Sequence, residues 1–96
     1  MNDKIKLFVY GTLRSKATCA YLGVFPKTKT PATLYGYEKQ GLNIEKKEGS
    51  SVDGFVLQVT QQELIAIDKY EGVPSGYKRI FVEVNGENVF AYQYAS

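Results

Sequence analysis

The carboxylate of Glu71 occupies a position where a charge is unusual. Leu64 and Ile67 mark the apolar stripe of a predicted helix, and Glu71 follows on the same helical face. Burying a carboxylate without partners costs free energy, and the negative end of a helix dipole disfavours another anion. Both effects raise the pKa of a carboxyl group, which suits a general acid or base near neutral pH. The alternative is a helix that frays at Tyr70 and leaves Glu71 in solvent.

Asp68 is the rival carboxylate, because it shares roughly the same helical face one turn earlier. We interpret Asp68 as a charge on the helix surface or as the ion-pair partner of a lysine or arginine. On pattern alone both carboxylates remain candidates for proton transfer.

A glycine turn follows the first predicted strand, in the sequence Tyr10-Gly11-Thr12-Leu13-Arg14. Such a turn can expose successive backbone N–H groups as a concave site for an anion or a developing oxyanion. Arg14 could bind a substrate carboxylate, although a solvated arginine is the commoner outcome. A single glycine after a strand is most often only a turn, so this feature needs support from elsewhere in the chain.

The residue inventory excludes several kinds of site. The chain has no histidine, which excludes a Ser-His-Asp triad, a Cys-His dyad and a histidine-ligated metal. Its one cysteine, Cys19, excludes an intramolecular disulfide and a zinc-binding cysteine cluster, and we interpret it as a small buried hydrophobic residue. If the protein is an enzyme, its chemistry is left to a carboxylate, a hydroxyl, a lysine or the backbone.

The strongest helix signal lies directly before Glu71. Thr60 and Glu63 have the spacing of a capping box, and Gly72 is a natural left-handed residue after the helix end. We therefore expect a helix from the capping box to about Tyr70. Residues 15–22 predict a second, short helix.

Five strands are predicted, over residues 4–10, 33–37, 52–59, 77–84 and 89–94. The last two are joined by Asn85-Gly86, the strongest hairpin signal in the chain. The mostly polar residues 41–51 are interpreted as a loop. Because antiparallel pairing dominates, these elements predict the α+β class, as a small mixed, mostly antiparallel β-barrel of about five strands with one main helix.

Length and composition predict one globular domain over residues 1–96. Hydrophobic residues make up 44% and charged residues 23%, and no apolar run approaches a membrane span. Residues 1–4 show no signal-peptide pattern, so we expect a cytoplasmic protein. A net charge of +2 is too weak to predict a nucleic-acid partner, and the lysine pairs at 27/29 and 46/47 are interpreted as loop charges.

Two segments together resemble one known family. The turn sequence at 9–14, Val-Tyr-Gly-Thr-Leu-Arg, resembles the signature that opens the γ-glutamyl cyclotransferase-like family, which includes γ-glutamylamine cyclotransferases and AIG2-like plant proteins. Residues 67–72, Ile-Asp-Lys-Tyr-Glu-Gly, followed by Tyr77 and Arg79, resemble that family's second motif. Order and spacing both fit, and the resemblance covers nearly the whole chain.

The resemblance implies a compact mixed barrel and assigns roles to the residues that match. Glu71 would be the catalytic acid and base. The turn would hold the γ-glutamyl part of the substrate through backbone amides, with Tyr10, Gly11, Thr12 and Leu13 as substrate-binding residues. Tyr77 would line the pocket, and Arg79 would pair with an acid to fix the helix end.

The implied reaction releases 5-oxoproline from a γ-glutamyl amine or peptide and needs no metal and no cofactor. The expected partner is a small γ-glutamyl compound, with no nucleic acid and no membrane. Two alternatives stay open: a family member that binds a small ligand without catalysis, and a small barrel that binds nucleic acid. Eight tyrosines and five phenylalanines would supply stacking faces for the latter, although core packing explains most of them.

Overall fold

The computed structural model describes residues 4–95, in which five strands and two α-helices follow in the order predicted. These elements are β1 (Ile5–Val9), a 3-10 turn (Thr12–Arg14), α1 (Lys16–Tyr21), β2 (Thr28–Gln40), β3 (Asn43–Val59), α2 (Gln61–Glu71), β4 (Tyr77–Val84) and β5 (Glu87–Tyr94). The α+β prediction is confirmed. The predicted single domain also includes residues 1–3 and 96, which lie outside the described residues. No helix within residues 4–95 is long and apolar enough to cross a membrane.

The five strands form one mixed sheet with the order β2-β3-β1-β5-β4. Central β1 pairs antiparallel with β3, from Ile5 opposite Val59 to Val9 opposite Phe55, and parallel with β5. The pairs β2–β3 and β4–β5 are antiparallel, so the mostly antiparallel prediction is confirmed. The predicted barrel takes the form of a curled sheet that is not closed, with β2 and β4 as its edges.

Both faces of β1 are buried, each in its own apolar cluster. On one face Leu7 and its neighbours pack against Leu64 and Ile67 of α2. On the other, Phe8 packs in a cluster that also contains Leu34 of β2 and Val82 of β4. Because the two edge strands bury side chains in the same cluster, the sheet must curl around it.

The prediction of a loop over residues 41–51 is wrong, because these residues form a turn and the first part of the long strand β3. Strands β2 and β3 pair as far as Gln40 opposite Asn43, so the turn contains only Gly41 and Leu42. Residues 45–49 are exposed on both faces of the strand, and they therefore lack the apolar alternation that identifies a strand in a sequence. The lysines at 46 and 47 are consequently strand charges, and Lys47 pairs with Glu38 at 2.9 Å.

Helix α2 begins and ends as its sequence predicts. The Glu63 N–H donates to Thr60 Oγ1 (3.1 Å), and the Thr60 N–H donates to Glu63 Oε1 (2.9 Å), which completes the capping box. Gly72 follows the helix with a φ of 76°. The capping box and the left-handed glycine fix the helix at both ends, so its last residue, Glu71, has a defined position.

The predicted β4–β5 hairpin is also confirmed. Asn85 has a φ of 54° and Gly86 a φ of 78°, as a type I′ turn requires. Strand β5 begins at Glu87, two residues earlier than predicted. The hairpin brings Tyr77, at the start of β4, beside Tyr94, at the end of β5.

Gly54 of β3 lies directly against the end of β1, and its replacement by alanine should destabilise the fold. An added Cβ would lie 2.2 Å from the carbonyl oxygen of Val9 and 2.9 Å from the ring of Phe8. We expect Gly54→Ala to lower the free energy of unfolding by about 2–3 kcal/mol or more, as overpacked cores do. Urea denaturation measures this change.

The matched control is Ser51→Ala, on an exposed position of the same strand. Its stability should stay within about 0.5 kcal/mol of the wild type, as is usual for surface substitutions. Equal urea midpoints for Gly54→Ala and the wild type would contradict the packing argument.

Candidate active site

A cavity of about 330 Å³ lies where the end of β1, the end of α2 and the start of β4 meet. Its wall contains all six residues that the sequence assigned to a site: Tyr10, Gly11, Thr12, Leu13, Glu71 and Tyr77. Five others complete the wall: Phe8, Val9, Leu42, Tyr70 and Tyr92. The fold therefore brings the glycine turn and the helix-end carboxylate together from distant parts of the sequence.

The glycine turn is a single 3-10 turn whose first two N–H groups are not used by its own hydrogen bonds. Its bonds run from the Arg14 N–H to the Gly11 carbonyl and from the Ser15 N–H to the Thr12 carbonyl, both at 3.0 Å. The N–H groups of Thr12 and Leu13 come first in the turn and have no acceptor within it. Leu13 anchors the turn because its side chain is buried in the core.

Gly11 is a glycine that the packing around it does not require. Its φ of −124° lies outside the left-handed region that favours glycine. No heavy atom lies within 4 Å of an added Cβ. The missing side chain therefore leaves open space at the cavity wall, where a ligand can approach the backbone.

Glu71 is the last residue of α2 and is partly buried, so the alternative of a helix that frays at Tyr70 is wrong. Burial raises the pKa of its carboxyl group. Within residues 4–95 this carboxylate has no hydrogen-bond or ion-pair partner. Among the described residues that line the cavity, Glu71 alone carries a charge. Its oxygens are therefore available to accept a proton from a bound molecule.

Tyr10, Tyr77 and Tyr92 line the same cavity as Glu71, and their phenol groups are protonated at neutral pH. Burial, and then the charge of Glu71, raises the pKa of Tyr77 to about 12. Burial is also the main cause that raises the pKa of Tyr10 and of Tyr92, and the Glu71 charge adds to it in both. At neutral pH all three are therefore hydrogen-bond donors.

The three phenol groups donate to acceptors other than Glu71. Tyr10 donates to the backbone carbonyl of Tyr92, and Tyr77 donates to the carbonyl of Leu42 at 2.6 Å. Tyr92 donates to Oδ1 of Asp68. The bond to Leu42 fixes the tip of the β2–β3 hairpin at the cavity mouth.

Asp68 is confirmed as an ion-pair partner. Its Oδ1 lies 3.2 Å from Nε of Arg79, whose guanidinium group also stacks over the ring of Phe90 at 5.0 Å. Arg79 thus pairs with an acid near the helix end, as the family resemblance implied. Asp68 does not line the cavity, which leaves Glu71 as the carboxylate that faces a bound molecule.

Arg14 and Cys19 lie outside the cavity. Nε of Arg14 donates to the Gly11 carbonyl at 3.0 Å, so this exposed side chain supports the turn from outside. Cys19 is buried as predicted, its thiol donates to the Leu13 carbonyl at 3.4 Å, and burial raises its pKa. A thiol with a raised pKa is a poor nucleophile.

Sequence reasoning missed Leu42 and Tyr92 for different reasons. Leu42 lies at the tip of a hairpin whose second strand has no apolar alternation, so nothing local placed it near the turn. Tyr92 belongs to a correctly predicted strand, and alternation from the buried Val89 and Ala91 does not show that β5 pairs with β1. The parallel β1–β5 pairing is a non-local contact, and it places Tyr92 beside Tyr10.

The comparison with protein families gives one match, in which the family described as Gamma-glutamyl cyclotransferase, AIG2-like covers residues 7–96. Comparison with curated proteins gives no match. An Arabidopsis thaliana protein with a solution structure is 29% identical, with a TM-score of 0.79, and the alignment covers 99% of this chain. This chain spans only 64% of that plant protein.

Two further solved structures share the fold. A γ-glutamyl cyclotransferase is 20% identical over 95% of this chain and 66% of its own, with a TM-score of 0.75. An AIG2-like protein from Mus musculus is 22% identical over 99% of this chain and 78% of its own, with a TM-score of 0.71. With the family match over residues 7–96, these findings bear out the resemblance to this family. This chain belongs to the Gamma-glutamyl cyclotransferase, AIG2-like family.

Proposed function

We propose that this protein releases 5-oxoproline from a small γ-glutamyl compound by intramolecular acyl transfer. Glu71 takes a proton from the substrate's α-ammonium group, and the freed amine attacks the γ-carbonyl carbon. A C–N bond forms within the substrate to close a five-membered ring, and the bond to the original amine breaks. Glu71 then returns that proton to the departing nitrogen, and the ring nitrogen loses its second proton to water or to the released amine, which leaves as an ammonium ion.

The observation that supports this proposal is the shared cavity. The glycine turn lines the same cavity as the Glu71 carboxylate, which has a raised pKa and no partner among residues 4–95, although about 60 residues separate the two in the chain. Ring closure needs both: a group that relays one proton and donors for the oxygen that becomes negative. Nucleophile and electrophile belong to one molecule, so the protein's main task is to hold that molecule folded.

The amides of Thr12 and Leu13 are our candidates for the oxyanion donors. Backbone donors on a rigid turn need no reorganisation when charge develops, which makes them effective in catalysis. The buried Leu13 side chain and the bond from Arg14 to the Gly11 carbonyl hold this turn in place. Tyr70 adds a further restraint, because its hydroxyl lies 3.0 Å from Oγ1 of Thr12.

A member of the fold that binds a γ-glutamyl compound without converting it is the alternative. Assaying a panel of γ-glutamyl amines, amino acids and peptides for 5-oxoproline separates the two. Release from at least one compound supports catalysis. Binding of these compounds with no release from any of them would favour the non-catalytic alternative.

Replacing Glu71 by glutamine should abolish turnover and leave the fold intact. Glutamine keeps the shape of the side chain and removes the group that accepts the proton. General acid–base catalysis commonly contributes 10²–10⁴-fold, so we expect kcat to fall by at least about 10²-fold. The measurement is 5-oxoproline release on whichever γ-glutamyl substrate the wild type accepts.

Asp68→Asn is the paired control for this loss. The asparagine oxygen can still accept the bond from Tyr92, whereas the ion pair with Arg79 is lost. We therefore expect this variant to lose stability and to retain most of its kcat. If Asp68→Asn is the inactive variant and Glu71→Gln is active, we have assigned the base wrongly.

The pH dependence should show the raised pKa of Glu71. The acidic limb of the kcat/KM profile should lie above the ordinary pKa of a glutamate, because burial raises the pKa of this group. Folding favours the protonated acid, so the Glu71 contribution to stability falls as pH rises from the ordinary pKa through the raised one. Glu71→Gln should therefore melt higher than the wild type at neutral pH and equally at pH values below the ordinary carboxyl pKa.

A wild-type acidic limb at the ordinary pKa of glutamate would contradict this electrostatic argument. So would a melting-temperature difference that does not change with pH.

Gly11→Ala should reduce activity and leave stability nearly unchanged. The added methyl group meets no protein atom within 4 Å and needs no left-handed backbone, so unfolding should shift by less than about 1 kcal/mol. The methyl group occupies space at the cavity wall, where the substrate would approach the turn. We expect kcat/KM to fall by about tenfold or more, and wild-type kcat/KM in this variant would refute close contact between substrate and turn.

A further inference from the structure

A second depression, of about 440 Å³, adjoins the cavity across the glycine turn. We call it the outer groove, and its lining residues are Gly11, Thr12, Arg14, Ser15, Lys39, Leu42 and Phe55. Gly11, Thr12 and Leu42 belong to both depressions. A molecule bound beside Glu71 can therefore extend over the turn and past Leu42 into the outer groove without displacing a buried side chain.

The two depressions have opposite charge. Glu71 is the charged residue among those that line the cavity, whereas the outer groove is lined by the cations Arg14 and Lys39 and by no acid. Burial in the cavity keeps water away from the carboxylate, and the groove is more open to solvent. The cavity therefore attracts the ammonium end of a substrate, and the groove attracts an anion.

Contacts of the surrounding residues keep both cations available. Nε of Arg14 donates to the Gly11 carbonyl at 3.0 Å, which holds the guanidinium group against the turn. Nζ of Lys29 donates to the Arg14 carbonyl at 2.6 Å. Glu38, the acid next to Lys39 in the chain, is bonded to Lys47 at 2.9 Å. Within residues 4–95 neither Arg14 nor Lys39 has an ion-pair partner.

We propose that the outer groove receives the departing amine of the substrate, and that Arg14 and Lys39 select substrates whose departing amine carries a carboxylate. This inference rests on the proposed function, because it assumes that the γ-glutamyl unit occupies the cavity. With that unit beside Glu71 and its γ-carbonyl over the turn amides, the group beyond the scissile bond passes the turn toward Arg14. The substrate class is then γ-glutamyl amino acids and peptides.

A matched pair of substrates tests this selection. γ-Glutamyl-alanine and γ-glutamyl-alaninamide differ in one group, a carboxylate against a neutral amide. We expect the wild type to favour γ-glutamyl-alanine in kcat/KM by about three- to tenfold, the scale of contacts with exposed cations. The preference should shrink as salt is added, because exposed charges are screened.

Three variants locate the preference. Lys39→Gln should lower the ratio of the two kcat/KM values toward one, and Lys39→Glu should bring it below one by repelling the carboxylate. Lys46→Gln removes the same charge from the neighbouring strand and lines neither depression, so it should keep the wild-type ratio. Arg14→Gln should also lower the ratio, but it removes a bond to the turn as well, so the Lys39 variants decide.

Each outcome has one interpretation. A wild-type ratio near one, or a ratio that Lys39→Gln and Lys39→Glu leave unchanged, overturns the selection while the cyclotransferase function stands. Equal losses for both substrates in the Lys39 variants would show that Lys39 binds the α-carboxylate of the γ-glutamyl unit, which also overturns it. If neither of these two substrates nor any compound of the wider panel yields 5-oxoproline, the proposed function itself fails.

Discussion

The ion pair between Asp68 and Arg79 determines which carboxylate of α2 faces the cavity without a partner. Both acids lie near the end of the helix, where the helix dipole disfavours them. Arg79 neutralises Asp68 at 3.2 Å, and the Tyr92 hydroxyl adds a hydrogen bond to the same oxygen. Glu71, one turn further on, receives neither contact. Burial raises the pKa of the Glu71 carboxyl group, and no described cation lies close enough to pair with it and lower that pKa.

The different surroundings of Asp68 and Glu71 depend on the position of β1 in the middle of the sheet. Its two buried faces hold α2 on one side and the curled hairpins on the other, so the turn at its end cannot move independently of either. The parallel contact with β5 brings in Tyr92, whose phenol group bonds to Asp68 and whose carbonyl accepts from Tyr10. The helix end, the turn and the cavity wall are thus positioned by one packing arrangement.

The features that the sequence predicted well are those whose cause is local. The capping box at Thr60, the Asn85-Gly86 turn and the helical face of Glu71 each follow from residues within a few positions of one another. The strand at residues 43–51 was not predictable in this way, although its partner in β2 is only a two-residue turn away, because residues 45–49 are exposed on both faces and carry no apolar alternation. For the same reason Leu42 was missed as a cavity residue. The expected link between the glycine turn and Glu71 came from the family motifs and not from any local sequence pattern.

An unpartnered, partly buried carboxylate destabilises the folded state, and the surrounding structure confines that cost to one residue. Helix α2 is held at its start by the capping box and along its length by Leu64 and Ile67 in the core. These contacts do not involve Glu71, so the helix does not need a favourable interaction at its last residue to stay folded. The phenols of Tyr10, Tyr77 and Tyr92 are committed to other acceptors, and they shield the carboxylate from water without lowering its pKa by hydrogen bonding. In the reaction that we propose, the ammonium group of the substrate would supply the partner that the protein withholds from this carboxylate.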